Sequence, residues 1–125
     1  MTLAKSLPTS SEALPGQAAG LTAAPVLGGL PPQTLAQIQA VLRAFPQIRW
    51  LKLYGSRAMG NYRPGSDIDL AFSSPVDYTA QLAGVFEELP IPYLVDVTHW
   101  ESLAHNGLRQ HIEQVGILLH GSELS

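Results

Sequence analysis

The chain has 125 residues, with 7 Lys and Arg against 10 Asp and Glu, a formal charge of −3, and no cysteine. That length supports one domain with a single core. A mildly acidic balance without a basic run argues against strong nucleic-acid binding through phosphate contacts, and the lack of cysteine excludes disulfides, thiolate zinc sites and a cysteine nucleophile, in keeping with a reducing, cytoplasmic setting.

Met1 to Leu30 is rich in Ala, Gly, Pro, Ser and Thr, and Pro8, Pro15 and Pro25 break every periodic stretch, so residues 1–30 read as a flexible tail and 31–125 as the folded domain. Residues 13–42 carry no charged side chain. Repeated Pro and Gly nevertheless argue against a membrane span, and no compact apolar block follows Lys5 to make a signal peptide. Pro31 and Pro32 then open a helix on which Leu35, Ile38, Leu42 and Phe45 recur at helical spacing up to Pro46. Ile48 to Tyr54 is an apolar run expected to form a buried strand.

Gly55-Ser56 lies where that strand ends and a turn or short helix begins. A small residue there lets backbone N–H groups face outward, and a serine hydroxyl adds a ligand, which suits the outer phosphates of a nucleotide. After the loop Asn61 to Ser66, with its Arg63-Pro64-Gly65 turn signal, Asp67 to Phe72 alternates with period two. Ile68, Leu70 and Phe72 face a core, while Asp67 and Asp69 lie side by side on the other surface. Paired hard oxygen ligands suit magnesium, which keeps waters and is held by one or two carboxylates together with substrate phosphates.

Ser73-Ser74-Pro75 ends this strand. Asp77 is a candidate N-cap for a helix carrying Leu82, Val85, Phe86 and Leu89, which Pro90 stops. Ile91 to Thr98 reads as a further strand with Leu94, Asp96 and Thr98 on one face. A helical crossover makes it a parallel neighbour of the Asp67–Phe72 strand and brings Asp96 beside the acidic pair. Three carboxylates can hold two metals, or one metal and a proton acceptor; Asp96 is the candidate for that last role. Trp100 to Val115 is helical in pattern, with Leu103, Leu108, Ile112 and Val115 as buried positions, an interruption at Asn106-Gly107 and a stop at Gly116. Ile117 to His120 can add an edge strand.

The four histidines make no recognised zinc spacing, so surface or helix-packing roles are expected, with His99 alone near enough to Asp96 in sequence to border the site. Trp50 and Trp100 read as core or interface residues; Tyr54 and Tyr62 fit either packing or the border of a nucleotide.

A Gly-Ser pair, ten intervening residues, D-x-D and a later lone Asp on a strand resemble the nucleotidyltransferase superfamily of polymerase-beta type. The phrases GSRAMG, SDIDLAF and VDV, with the ending HIEQVGILLH, resemble more closely the minimal nucleotidyltransferases (MNT) over roughly residues 33–120. The resemblance implies an α/β fold with a small mixed sheet and helices packed on one face. It implies metal binding by Asp67, Asp69 and Asp96, with Mg2+, two ions in the full form, and triphosphate binding by Gly55 and Ser56. Many relatives carry a basic residue where this chain has Met59; Arg57 or Arg63 is the expected compensation, and both are candidate nucleotide-binding residues. The resemblance further implies an antitoxin that transfers AMP from ATP to a tyrosine of a HEPN ribonuclease toxin encoded by a neighbouring gene. Two other readings stand beside it: an antitoxin that blocks its HEPN partner sterically with a vestigial site, and a small-molecule nucleotidyltransferase of the antibiotic-modifying kind, against which the short chain argues.

Overall fold

The computed structural model describes residues 27–122; the first 26 residues of the tail expected over 1–30, and the last three residues of the chain, lie outside them. Four strands form one mixed sheet: β1 (Trp50–Tyr54), β2 (Ile68–Ser73), β3 (Val95–His99) and β4 (Ile117–Gly121), in the spatial order β3-β2-β1-β4. β1 runs antiparallel to both β2 and β4, and β2 and β3 are parallel. The parallel pair follows from its connection, since α3 (Thr79–Glu87) lies between β2 and β3 in the chain and carries it back to start β3 at the same end. Among the described residues four α-helices accompany the sheet: α1 (Pro32–Val41), α2 (Gly55–Met59), α3 and α4 (Asn106–Val115).

Side-chain alternation divides the sheet into two faces. Leu51 and Leu53 of β1 join Ile68, Leu70 and Phe72 of β2 in the main core, which Leu35 and Ile38 of α1 and Leu82 and Phe86 of α3 complete. α1 starts behind Pro31 with Pro32 in its first turn, where a missing N–H costs nothing. The N-cap of α3 is Tyr78, which makes no side-chain cap bond; Asp77, the expected cap, stands one residue earlier and accepts the Thr79 N–H at 2.9 Å in a local turn, and Val85, expected in the buried stripe, turns to solvent.

The second face is not left open. α4 crosses it, and Ile112 packs with Trp50, Tyr54 and Ala71, flanked by Trp100, Leu103, Leu108 and Val115. Helices therefore lie on both faces rather than one; the α/β class and the small mixed sheet are as expected. The expected break at Asn106-Gly107 is where α4 begins, because the His105 ring accepts the Leu108 N–H at 3.0 Å and acts as its cap.

Two further boundaries move. β3 begins at Val95, four residues after the expected start, because Pro92 has no N–H to donate to a ladder and Leu94 is 75% exposed. The domain begins earlier than residue 31: Leu27–Gly29 forms a 3-10 turn, and Leu30 is fully buried in the main core. Among the described residues no helix is long and apolar enough to cross a membrane.

Candidate active site

The site forms where β1 ends and the parallel pair begins. Tyr54 is opposite Asp69 across the β1–β2 ladder, and Asp69 is level with Asp96 across the β2–β3 ladder. The alternation of β2 and β3 thus places Asp69 and Asp96 side by side on the α4 face, with Asp67 one residue before β2 begins. Gly55, the first residue of α2, has a left-handed φ of 75°. A Cβ on Gly55 would stand 2.3 Å from Oδ2 of Asp69, so only glycine allows that carboxylate to lie against the turn. The two halves of the sequence pattern, Gly-Ser and D-x-D, are therefore in direct contact in the fold.

Burial pushes the Asp69 carboxyl above its ordinary range, and the neighbouring charges of Asp96 and Asp67 push it further the same way, while the His111 ring works in the opposite direction. Tyr54 spans the strands, its hydroxyl 3.0 Å from Oγ1 of Thr98. Burial raises its phenol; the Thr98 hydrogen bond lowers it again in part, and the charges of Asp69 and Asp96 add to the rise. Repulsion within this group is what a bound cation would relieve. Among the described residues no three His, Asp or Glu side chains are already drawn into a metal cage. Adjacent carboxylates that leave the remaining positions to phosphates and water are nevertheless a donor set that magnesium accepts.

The sequence-predicted residues separate into two groups. Asp69, Asp96 and Gly55 come together, with Asp67 and Ser56 next to them in the chain. Arg57 does not join them: it is 2% exposed, and its guanidinium donates to the carbonyls of Gly28, Pro64 and Ser66, so its donors are committed to the backbone rather than to a triphosphate. Arg63 is exposed in the loop, its backbone N–H donating to the Ser66 hydroxyl at 2.8 Å. Met59, also exposed, supplies no charge in its place.

Of the histidines, His99 points to the wrong face. It stacks near Phe72 in the main core and hydrogen-bonds Ser102 and the Ser74 carbonyl. His111 is the one at the site: its Nε2 accepts the Gly55 N–H at 3.0 Å and its ring meets Tyr54 edge-on at 5.9 Å. In the sequence His111 opens the family-like phrase HIEQVGILLH and stands beside Ile112 on the last helix, a place that becomes informative once α4 is known to cross the acidic face.

Residues 36–123 match the family model described as polymerase beta, nucleotidyltransferase. The chain belongs to this nucleotidyltransferase family. It is 28% identical over 95 residues to the Haemophilus influenzae protein named "Probable protein adenylyltransferase MntA", a match covering 73% of this chain and 82% of that one. Among solved structures it is similar to a toxin–antitoxin complex with AMP-PNP, with a TM-score of 0.61 and 26% identity over 72% of this chain and 75% of that one. A further fold match, with a TM-score of 0.51 and 23% identity over 74% and 73% of the two chains, is to the complex of tri-AMPylated Shewanella oneidensis HEPN toxin with MNT antitoxin. The α/β nucleotidyltransferase fold expected from the motif is thus the fold of this chain.

Proposed function

We propose that this nucleotidyltransferase transfers AMP from ATP to a tyrosine hydroxyl of a HEPN ribonuclease toxin encoded by a neighbouring gene, and so acts in the cytoplasm as the toxin's antitoxin. The observation that carries the reading is the packing of the Asp69 carboxylate against Gly55, level with Asp96 on the parallel strand. It brings the Gly-Ser turn and two carboxylates onto one small surface, which supports an anion cradle beside a cation site, the pair of features a nucleoside triphosphate with magnesium needs. The likeness to MntA, and to a toxin–antitoxin complex holding an ATP analogue, supports the choice of a protein acceptor.

In this reading Gly55 and Ser56 hold the outer phosphates through backbone N–H groups and the serine hydroxyl. Asp67, Asp69 and Asp96 would hold magnesium, which neutralises charge on the triphosphate and leaving group. Asp96, exposed on the parallel strand, orients the acceptor and takes its proton. The tyrosine oxygen then forms a bond to the α-phosphorus, the bond from that phosphorus to the bridging oxygen of the β-phosphate breaks, and pyrophosphate leaves. Tyr54 and His111 frame the floor of the site.

The steric reading has one observation on its side: Met59, 51% exposed, puts an uncharged side chain where a cation would help hold the triphosphate. ATP labelled on its α-phosphate separates the two. AMP transfer moves the label to the partner protein and releases pyrophosphate; a complex that protects without label transfer selects the steric reading.

A further inference from the structure

Arg57 is charged, buried and adjacent to Ser56, yet its hydrogen bonds run away from the acids. Its Nε and one terminal nitrogen converge on the Ser66 carbonyl at 3.1 and 2.9 Å, the same terminal nitrogen reaches the Pro64 carbonyl at 3.1 Å, and the other reaches the Gly28 carbonyl at 2.7 Å. The guanidinium lies 5.1 Å from the Tyr62 ring centre and 4.9 Å from that of Tyr93. Two aromatic faces and three carbonyls thus replace the water that a buried cation has lost.

What these partners have in common is their place in the chain. Ser66 carries the peptide link into Asp67. Tyr93 precedes Leu94, whose carbonyl accepts the Ile68 N–H at 2.8 Å just before the parallel β2–β3 pairing begins, and Asp96 follows two residues later. Arg57 therefore grips both acid-bearing segments immediately upstream of their carboxylates. The turn at Gly28 and Gly29 closes over it: a Cβ on Gly28 would meet Leu53 at 2.7 Å and Arg57 at 3.1 Å, and one on Gly29 would meet the Tyr62 ring at 2.2 Å.

We propose that Arg57 is a positioning residue that sets the spacing of Asp67 and Asp69 relative to Asp96, and through it the affinity of the acid cluster for a divalent cation. The inference rests on the metal-holding role given above to those three acids. Only arginine fits the position, because its planar fork reaches three carbonyls while its faces stack on two rings; an ammonium has neither the plane nor the reach.

The test uses the full chain with Arg57→Lys, Arg57→Met and Tyr62→Leu. Hydrogen exchange at the Ile68 amide reads the junction directly, Mn2+ titration followed by electron paramagnetic resonance reads the acids, and transfer kinetics separate metal from nucleotide. The expected result is faster exchange at Ile68, Mn2+ affinity weakened by about tenfold or more, and a similar rise in the Mg2+ needed for half-maximal transfer. KM for ATP at saturating Mg2+ should stay within about twofold of the native value, and Lys should not rescue. A rise in KM for ATP with an unchanged Mg2+ requirement would overturn the proposal in favour of a phosphate ligand. Unchanged exchange and unchanged Mn2+ affinity would overturn it in favour of simple filling of the core. If the Arg57 variants do not fold, Tyr62→Leu, which removes one ring face, gives the same readings. Native protein inactive in transfer would sink the enzymatic reading alone, because exchange and Mn2+ binding still decide the role of Arg57.

Discussion

Asp69 is partly buried beside two other carboxylates, so the ionised form that a cation requires is the form the free fold disfavours. Its carboxyl is raised above its ordinary value of 3.8, first by burial and then by Asp96 and Asp67. For an acid raised in this way the favourable contribution to folding is complete below that ordinary value and is lost as pH rises through the raised one. Asp69→Asn should therefore raise the thermal midpoint at neutral pH, with the gain shrinking as the pH falls through the raised value and gone below about 4. The same substitution should cut AMP transfer by about a hundredfold or more, because charge stabilisation worth several kcal/mol goes with the metal. Differential scanning calorimetry across pH, beside a transfer assay, checks both. His111 gives a second prediction. Its Nε2 occupies the Gly55 N–H, a donor that a phosphate oxygen would also use. His111→Phe keeps a ring against Tyr54 but removes the acceptor. It should destabilise the free chain by about 1 kcal/mol and tighten binding of a non-hydrolysable ATP analogue by up to about tenfold, read by calorimetric titration. Weaker binding would make His111 a support of the bound state instead.

Among the elements, the far end of the sheet is tied by Glu101. Its carboxylate accepts from the Ser73 hydroxyl, from the Ser74 N–H at 3.1 Å and from Arg49 at 2.8 Å, joining the end of β2 and the start of β1 to the turn after β3. Burial alone would raise its carboxyl; the bonds from Ser73, Ser74, its own N–H and Arg49 outweigh that and hold it below the ordinary 4.5. Stability from this tie is present above 4.5 and is lost as pH falls through the lowered value. Glu101→Gln should cost on the order of 1 kcal/mol at neutral pH, allowing for solvent screening of a largely exposed group, with the difference closing in acid. Denaturant melts at several pH values measure it. At this scale period two reveals β2, the apolar run Ile48 to Tyr54 reveals β1 and its burial, and the helical crossover reveals the parallel partner of β2. The placement of α4 was not legible, because an amphipathic helix shows that it has an apolar face and not which side of a sheet that face will cover. His111 is illegible for that reason, and sequence distance puts His99 near Asp96 whereas strand alternation turns it to the opposite face. Arg57 is expected at the triphosphate as compensation for the uncharged Met59; the carbonyls that claim it belong to segments separated from it by 7, 9 and 29 positions, which no local pattern displays.

Over the whole molecule, Gly-Ser, D-x-D and Asp96 identified the family from spacing, because the chemistry fixes those residues and the connection between β2 and β3 fixes their order. The beginning of the fold was less visible. Leu30 belongs to the main core with Ile38 and Leu53, although its immediate neighbours are Gly28, Gly29, Pro31 and Pro32. Leu30→Ala should cost about 2–5 kcal/mol in chemical denaturation, the range for emptying a buried leucine site; a change near zero would return residues 27–30 to the tail. The proposed acceptor is a protein, and a net charge of −3 without a basic run sets nothing against that proposal. The most direct test of that claim is the intact mass of the neighbouring HEPN protein after incubation with this chain, ATP and Mg2+, beside the Asp67→Asn, Asp69→Asn double variant. The account predicts a gain in steps of one AMP that disappears with the double variant. A partner bound tightly and protected, but with its mass unchanged, would contradict it.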